Sequence, residues 1–285
     1  MRILKGAEVA AEIRTKILEE LKELDHTPTL ATVRIGEQGD DIAYERNAAK
    51  RMTSYSLKTK HYVYPADITN EEFLEAIRAL NNDPEIDGIL LLRPFPKQID
   101  HESVMYTIAP RKDLDGISPM NMARVFCWDD RGFAPAVVEA VVRILKHYGI
   151  ELSGKTATIV GRSEVVGRPL CMLLLKENCT VTMCHTKTRD LPTACRTADI
   201  LVRCAGARKL IDRSCIKPGA VVIDVGFNVD GEGNLCGDVD FESIRDVAEA
   251  ATPVPGGVGG ATTAILAEHL VKAAKTCFSE NYCVK

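Results

Sequence analysis

The chain has 285 residues, of which 46% are hydrophobic and 27% charged, and its formal net charge is −4. This length is sufficient for two α/β domains with their own cores, and the small negative charge gives no electrostatic basis for binding nucleic acid or an anionic membrane. No apolar run reaches membrane-spanning length and the first residues lack the apolar segment of a secretory signal, so we predict a cytoplasmic protein.

The cysteines and histidines predict a reduced protein without a metal site. The chain has 10 cysteines and 6 histidines, but no Cys-x-x-Cys and no His-x-x-x-His pair. Several cysteines, among them Cys171, Cys179 and Cys204, lie within apolar runs. Free thiols in such runs are usually core residues.

The first half of the chain predicts strands that alternate with helices. The predicted elements are a helix over 6–24, a strand over 29–35, a loop over 36–40 followed by a helix to Met52, a strand over 60–64, a helix from the capping box of Thr69 and Glu72 to the residue before Pro84, and an apolar strand over 88–92. This order predicts a parallel sheet with helices on both faces.

A long apolar helix from Pro135 to Tyr148 is expected to join this domain to a second one. The elements predicted after it are a strand over 156–160, a helix through 170–175, strands over 180–183, 198–202 and 220–225, a turn over 226–228, a glycine-rich loop over 252–260 and a last helix from Thr262. We therefore predict an α/β fold of two domains, with residues 1–134 plus 263–285 in the first and residues 135–262 in the second.

The stretch from Gly154 to Thr188 predicts a site for a nucleotide. A short β-branched strand ends at Gly161, and Gly167 with Pro169 begins a helix. Such a turn brings backbone N–H groups and a helix N-terminus together, which suits a pyrophosphate. The turn is not Gly-x-Gly-x-x-Gly, so an ordinary α/β turn without a ligand is the alternative.

The end of the next strand favours NADP over NAD. An NAD site usually has a carboxylate there to hold the ribose 2′-hydroxyl. This strand ends in Cys184-His185-Thr186-Lys187 without a carboxylate, and Arg162 lies in the preceding turn. Cations and a hydroxyl suit a 2′-phosphate.

Five motifs of the chain point to one family. They are Gly161-Arg-Ser-x-x-Val-Gly-x-Pro169, Cys184-His-x-Lys-Thr188, Lys112-Asp-x-Asp-Gly116, Gly237-Asp-Val-Asp240 and Thr252-Pro-Val-Pro-Gly-Gly-Val-Gly259. With these motifs the chain resembles the methylenetetrahydrofolate dehydrogenase/cyclohydrolase family over nearly its whole length. The resemblance implies oxidation of 5,10-methylenetetrahydrofolate by NADP⁺ to 5,10-methenyltetrahydrofolate, which most members then hydrolyse to 10-formyltetrahydrofolate. It also implies two α/β domains across a cleft, the second a Rossmann-type NADP-binding domain, and a homodimer.

The resemblance also implies contacts with a folate substrate. Tyr44 matches a tyrosine that stacks on the folate, and Asp115 matches an aspartate that holds the pterin ring. Both are candidate catalytic and substrate-binding residues; the alternatives are packing for Tyr44 and turn formation for Asp115. Pro255, Gly256 and Gly257 match a loop that closes over the nicotinamide and the folate.

The candidate cofactor-binding residues come from the same comparison. Arg162 and Thr186 match positions near the 2′-phosphate, and threonine keeps the hydroxyl of the family's serine. The other candidates are Gly161, Ser163, Gly167, His185, Gly256 and Gly257.

Two positions depart from the family in a way that bears on hydrolysis. The family helix carries Tyr-x-x-x-Lys, whose lysine is central to the cyclohydrolase step, and the residue four after Tyr44 is Ala48. The family strand Gly-Ile-Leu-Val-Gln-Leu-Pro-x-Pro reads Gly88-Ile-Leu-Leu-Leu-Arg-Pro-Phe-Pro96, so Leu92 replaces the glutamine that partners the lysine. Hydride transfer needs no protein acid or base, whereas hydrolysis needs an activated water. We therefore predict a dehydrogenase whose cyclohydrolase activity is weak or absent.

Two alternatives stay open at this point. In one, the enzyme is bifunctional because Arg46, Lys50 or Arg93 takes the role of the lysine, although Lys50 is rotated by roughly 200° from Ala48 on a helix. In the other, the protein binds a folate or a nucleotide without catalysis.

Overall fold

A computed structural model of the chain describes residues 1–204, 206, 211–229 and 231–280. The strands are β1 (Arg2–Ile3), β2 (Thr29–Ile35), β3 (Lys58–Tyr64), β4 (Gly88–Leu91), β5 (Thr156–Val160), β6 (Thr180–Cys184), β7 (Ile200–Arg203), β8 (Val221–Asp224), β9 (Asn228–Val229), β10 (Leu235–Cys236) and β11 (Ala250–Ala251). The helices are α1 (Gly6–Glu20), α2 (Gly39–Ser54), α3 (Asn70–Asn82), α4 (His101–Thr107), α5 (Pro119–Phe126), α6 (Ala136–His147), α7 (Gly167–Lys176), α8 (Leu191–Arg196) and α9 (Val258–Glu280).

The chain forms two compact units. Unit 1 comprises Met1–Glu12 and Val137–Thr262, and unit 2 comprises Ile13–Ala136 and Thr263–Lys285. None of the helices in the described residues combines the length and apolar composition needed to cross a membrane.

Unit 2 contains a parallel sheet in the order β3–β2–β4, as the alternation of strands and helices predicts. Its central strand β2 is almost wholly buried. On α3 the side chains of Phe73, Ile77 and Leu80 are buried in the same core cluster as the apolar residues of β2 and β4. The predicted capping box is present, since Thr69 accepts from the Glu72 backbone N–H and Glu72 accepts from the Thr69 backbone N–H.

Sequence analysis did not predict α4 and α5, which are short helices with clear N-caps. The Asp100 carboxylate accepts hydrogen bonds from the first turn of α4. The Ser118 side chain accepts from Asn121 N, and Pro119 begins α5. Both caps are sequence signals for a helix start, but each helix is too short to establish a clear 3.6-residue period.

Unit 1 contains a six-stranded sheet in the order β1–β11–β8–β7–β5–β6, and every pair in it is parallel. The predicted strand–turn–helix–strand unit is β5–α7–β6. From β6 the chain returns to the other side of β5 to form β7. This reversal of strand order creates a switch point between the carboxyl ends of β5 and β7, where open α/β sheets bind ligands.

The N-terminal residues differ from the predicted division. We assigned residues 1–12 to the first domain, but β1 pairs with β11 in the six-stranded sheet and therefore lies in unit 1. Strands of two residues, such as β1 and β11, are too short to show an alternating pattern, so periodicity could not predict this pairing.

The last helix starts earlier than predicted, at Val258 rather than at Thr262. Part of the predicted glycine-rich loop, residues 258–260, is therefore helical. The start of this helix packs closely against α1, since a Cβ atom on Gly6 would lie 2.1 Å from the Gly257 carbonyl oxygen and 2.8 Å from Ala261 N. Small residues allow the backbones to approach although glycine is a weak helix former.

Candidate functional site

The turn after β5 is shaped by glycine. Gly161 has φ of +140°, and a Cβ atom on it would lie 2.6 Å from both the carbonyl oxygen and the Sγ of Cys204. A Cβ atom on Gly167, the first residue of α7, would lie 2.2 Å from the Gly161 carbonyl oxygen. Neither position accepts a side chain without displacing backbone, so the strand end and the helix start are held in close contact.

The same turn presents unused donors beside a helix N-terminus. Ser163 Oγ accepts from Val166 N at 3.2 Å and from Gly167 N at 3.4 Å, so this predicted cofactor residue binds the backbone where α7 begins. Within the described part of the chain, the backbone N–H groups of residues 162–165 donate to no acceptor. Unpaired backbone N–H groups in a turn are suited to an anion such as a phosphate.

The ends of β5 and β6 lie side by side. The register pairs Val160 with Cys184, so the residues that follow each strand leave the sheet at the same edge. Arg162 and Thr186 are both exposed there. His185 belongs to the second turn, where its backbone N–H donates to Thr188 Oγ1 at 2.9 Å and its Nδ1 accepts from Lys187 N at 3.1 Å.

The predicted loop residues Pro255, Gly256 and Gly257 also depend on glycine geometry. Gly256 has φ of +100°, and its carbonyl oxygen accepts from Gly6 N at 3.0 Å. A Cβ atom on Gly257 would lie 2.4 Å from the Pro253 carbonyl oxygen. These contacts fix the conformation of the loop within unit 1.

The buried side chain of Arg203, at the end of β7, bonds to the backbone at the end of β5. The Arg203 side chain is 1% exposed, its Nη1 donates to the Val160 carbonyl oxygen at 3.1 Å, and its Nε lies 3.6 Å from Asp238 Oδ2. Asp224 accepts from the backbone N–H groups of Asp238 and Val239. The motif Gly237-Asp-Val-Asp240 is thus part of a buried polar network, a role that sequence analysis did not predict.

In unit 2, a polar network fixes the helix that carries Tyr44. The neighbouring Glu45 is buried; its Oε1 accepts from Thr32 Oγ1 at 2.7 Å and its Oε2 accepts from Arg34 Nε at 3.1 Å. His61 Nδ1 lies 3.2 Å from the same Oε1. These contacts hold α2 against β2 and β3. The sequence signal that we missed is the alternation of Thr32 and Arg34 with apolar residues in the second half of β2.

The turn that carries Asp115 is fixed by its two polar neighbours. Asp113 is buried, and its carboxylate accepts from Ile117 N at 3.0 Å and from Ser118 N at 2.8 Å. Lys112 is also buried, and its Nζ donates to the Leu80 carbonyl oxygen at 2.9 Å, near the end of α3. The motif Lys112-Asp-x-Asp-Gly116 therefore orients one half-buried aspartate by means of two buried charged residues.

Tyr44, Arg93 and Asp115 form one cluster. Arg93 Nη2 donates to Asp115 Oδ2 at 3.0 Å, and Ala136 N donates to Asp115 Oδ1 at 3.2 Å. Burial and the neighbouring Asp115 carboxylate raise the pKa of Tyr44 to about 12. Burial raises the pKa of the Asp115 carboxyl, and the Arg93 guanidinium opposes this rise. Tyr44 remains 42% exposed, so the cluster faces solvent with an aromatic ring, a cation and a carboxylate.

The two positions predicted to lack cyclohydrolase groups are apolar and buried. Ala48 lies one turn after Tyr44 and is 2% exposed, and Leu92 follows β4 and is 7% exposed. Of the possible replacements for the lysine, Arg46 and Lys50 are exposed on α2. Arg93 is the one that contacts Asp115.

The parallel sheet of unit 1, with its glycine turn at the switch point, defines a Rossmann-type nucleotide-binding α/β protein. Residues 135–278 match a domain described as "Tetrahydrofolate dehydrogenase/cyclohydrolase, NAD(P)-binding domain", and residues 4–115 match the catalytic domain of the same family. The chain therefore belongs to the tetrahydrofolate dehydrogenase/cyclohydrolase family, which confirms the predicted family and its α/β fold.

Similar proteins cover almost the whole chain. The "Bifunctional protein FolD" of Alkaliphilus oremlandii is 49% identical over 276 residues, which are 96% of this chain and 97% of that protein. The bifunctional FolD structure from Campylobacter jejuni has 36% identity and a TM-score of 0.94, covering 97% of this chain and 99% of that one. The FolD structure from Trypanosoma brucei, complexed with NADP and an inhibitor, has 31% identity and a TM-score of 0.91, covering 97% and 98%.

Proposed function

We propose that this protein oxidises 5,10-methylenetetrahydrofolate to 5,10-methenyltetrahydrofolate with NADP⁺, and that its hydrolysis of the methenyl product is weak or absent. The dehydrogenase part is supported by the family of both matched segments. The observation that carries the second part is the pair of buried apolar side chains at Ala48 and Leu92.

The cofactor part of the proposal is supported by the edge of unit 1. The glycine turn and the unpaired N–H groups of residues 162–165 fit a pyrophosphate. Exposed Arg162, Thr186 and Lys187, with no carboxylate at the end of β6, fit the 2′-phosphate of NADP better than the free ribose of NAD. NADP⁺ supplies the hydride acceptor when it is bound, and the relative from Trypanosoma brucei was crystallised with NADP.

The substrate part is supported by the Tyr44 cluster. An exposed aromatic ring beside a carboxylate fits a flat heterocycle that carries N–H donors, as the pterin of tetrahydrofolate does. In this proposal Tyr44 stacks on the folate and Asp115 accepts hydrogen bonds from the pterin. Pro255, Gly256 and Gly257, the loop that the family resemblance assigns to the cofactor and the substrate, belong to unit 1.

Hydrolysis differs from hydride transfer in what it demands of side chains. Water must be activated and oriented beside the methenyl carbon, and protons must then move. Buried alanine and leucine have no group for either task. Hydride transfer needs only correct placement of the two reactants.

The bifunctional alternative has the stronger support from related proteins. The Alkaliphilus and Campylobacter proteins are both named bifunctional. Arg93 also places a cation beside Asp115, close to Tyr44. In this alternative Arg93 supplies the charge of the missing lysine, while a water or another group transfers the protons.

Product analysis separates these possibilities. The purified protein is mixed with 5,10-methylenetetrahydrofolate and NADP⁺, and NADPH and the methenyl product are followed separately. We expect both to accumulate together, with the methenyl species decaying no faster than without enzyme. Rapid loss of the methenyl species would support the bifunctional alternative. If no NADPH forms with NADP⁺ and no NADH forms with NAD⁺, only a binding protein is left.

Restoring the family pair tests the two positions directly. The double variant Ala48→Lys with Leu92→Gln is expected to gain hydrolysis of the methenyl product. Ala49→Lys is the matched control, because it adds a lysine one residue further along α2, roughly 100° away around the helix axis. A double variant that hydrolyses no faster than the parent would show that these positions do not limit hydrolysis.

A homodimer and a cytoplasmic location complete the proposal. The family resemblance suggests the homodimer. The eight cysteines whose side chains the structure describes are free thiols, which supports a reducing compartment. Sedimentation of the purified protein tests the oligomeric state.

A further inference from the structure

The carboxylate in the Tyr44 cluster has a second polar partner that the family motif does not contain. Arg93 stands where the family strand has leucine, and its Nη2 donates to Asp115 Oδ2 at 3.0 Å. The side chains of Arg93 and Asp115 are 19% and 26% exposed, so both still reach solvent.

Each member of this pair keeps unused hydrogen-bonding capacity. A guanidinium has five N–H donors, and within the described residues the Arg93 side chain donates only through Nη2, to Asp115. Each Asp115 oxygen accepts one hydrogen bond, from Arg93 or from Ala136 N, and has a further lone pair. The pair therefore offers unused N–H donors on Arg93 next to unused acceptor sites on Asp115.

A tetrahydropterin has the complementary edge. Its pyrimidinone ring carries the 4-oxo group, which accepts hydrogen bonds, next to N3–H and the 2-amino group, which donate them. A carboxylate alone can accept hydrogen bonds only from N3–H and the 2-amino group. An adjacent guanidinium can also donate to the 4-oxo group, so the pair can bond to all three groups. Hydrogen bonds that involve charged groups are stronger than those between neutral groups.

We propose that Arg93 is a specificity-determining residue, which donates to the 4-oxo group of the substrate while Asp115 accepts from N3–H and the 2-amino group. This inference rests on the proposed folate substrate and extends it. It gives Arg93 a role in recognition rather than in proton transfer, since an arginine side chain keeps its proton throughout the physiological range.

A matched pair of ligands tests this role. Tetrahydrofolate and 4-amino-4-deoxytetrahydrofolate carry an acceptor and a donor, respectively, at position 4. We expect the wild-type protein to bind the 4-oxo compound more tightly in anaerobic calorimetry. In Arg93→Gln the ratio of the two Kd values should fall roughly tenfold, because the amide can accept from a 4-amino group and the charged donor is lost. Arg93→Lys keeps the charge but not the planar arrangement of donors, so its ratio of Kd values should lie between those of the wild type and Arg93→Gln.

Lys97→Gln is the control, because it replaces an exposed cation four residues later by the same amide. It should leave the Kd ratio unchanged. An Arg93→Gln protein that still turns over 5,10-methylenetetrahydrofolate but keeps the wild-type ratio would overturn the inference and leave the proposed function intact. A wild-type protein that neither binds tetrahydrofolate nor forms NADPH would overturn the proposed function, and the inference with it.

Discussion

The edge of unit 1 at the ends of β5 and β6, which we call the cofactor edge, differs from the Tyr44 cluster of unit 2 in the groups that it offers to a ligand. At the cofactor edge the shape comes from backbone, since Cβ atoms on Gly161 and Gly167 would lie 2.6 Å and 2.2 Å from neighbouring atoms. In the Tyr44 cluster the chemistry comes from side chains, which hydrogen bonds and buried networks orient.

This difference bears on how each site responds to substitutions. A site made of backbone N–H groups keeps its chemistry as long as its glycines remain, whatever happens to nearby side chains. A site made of side chains changes its chemistry with single substitutions. Ala48, Leu92 and Arg93, which all differ from the family motifs, lie in unit 2 beside or near Tyr44 and Asp115.

The largest effect on ligand binding is expected from adding a side chain at Gly161, in the turn after β5. Gly161→Ala should weaken NADP⁺ binding roughly a hundredfold, because φ of +140° and the contact with Cys204 force the turn to move. Calorimetric titration with NADP⁺ measures this. Gly39→Ala is the control, since Gly39 begins α2 as Gly167 begins α7 but has nothing within 4 Å of its Cβ position. Equal NADP⁺ affinity in Gly161→Ala and wild type would refute the idea of a backbone-built site.

The next largest effect concerns the support of the side-chain cluster. Asp113→Ala removes the acceptor of three hydrogen bonds, from Ile117 N, Ser118 N and Asn121 Nδ2, and leaves these groups buried. We expect the free energy of unfolding to fall by about 2 kcal/mol, with a higher KM for the folate. Chemical denaturation and steady-state kinetics measure the two effects.

Asp67→Ala is the control for that substitution, because Asp67 is exposed in a loop of the same unit. It should leave both the stability and the KM unchanged. An Asp113→Ala protein with wild-type stability would mean that the turn is held by other contacts.

A smaller effect is expected from a side chain at the cofactor edge. Arg162→Ala should lower the preference for NADP⁺ over NAD⁺ roughly tenfold, the effect of losing one charge-assisted hydrogen bond to the 2′-phosphate. The ratio of the two kcat/KM values measures it. Lys155→Ala removes a cation just before the opposite end of β5 and should leave this ratio unchanged. A drop in NADP⁺ use that NAD⁺ use shares equally would place Arg162 at the pyrophosphate instead.

The local structure after β5 was easier to predict from sequence than the contacts of the Tyr44 cluster. Glycine and proline at fixed spacing after a β-branched strand are local signals, so the turn at Gly161 and the helix after it follow from sequence alone. The contact between Arg93 and Asp115 joins residues that are 22 positions apart, and it depends on how the turn after β4 folds. The same holds for Glu45, Arg34 and His61, whose network spans α2, β2 and β3.

Short elements account for most of the remaining differences. β1, β11, α4 and α5 have between two and eight residues, and periodicity cannot identify so short a segment. The pairing of β1 with β11 joins residues that are far apart in the sequence, and it places residues 1–12 in unit 1. α9 begins at Val258 and includes Gly259 and Gly260, and glycine is a weak helix former, so no local pattern predicted this start.

The smallest effect on stability is expected from a type of contact that occurs in both units, in which an aspartate bonds to the first residue of a strand and to a basic side chain. Near the start of β2, the Asp87 carboxylate accepts from Thr29 N at 2.8 Å and contacts His26 Nε2 at 2.9 Å. Near the start of β5, Asp199 accepts from Thr156 N at 2.8 Å and from Lys217 Nζ at 2.6 Å. One link pairs the aspartate with histidine and the other with lysine, so they should respond differently to pH.

Burial lowers the pKa of His26, but hydrogen bonds and charge interactions with Asp87 and Asp25 outweigh it and raise the pKa above 6.5. Its contribution to stability is therefore complete below pH 6.5 and is lost as the pH rises through the folded-state pKa. The pKa of Asp199 is lowered by Lys217 and Thr156, so that contribution is lost only in acid.

We expect His26→Gln to lower the free energy of unfolding by about 0.5 kcal/mol at pH 5.5 and not at pH 8.5, since a partly exposed pair is screened by solvent. Lys217→Gln, the matched change in unit 1, should have the same effect at both pH values. Denaturation curves at the two pH values measure both variants. A His26→Gln protein that is equally destabilised at pH 5.5 and pH 8.5 would mean that His26 acts through its neutral hydrogen bond rather than through its charge.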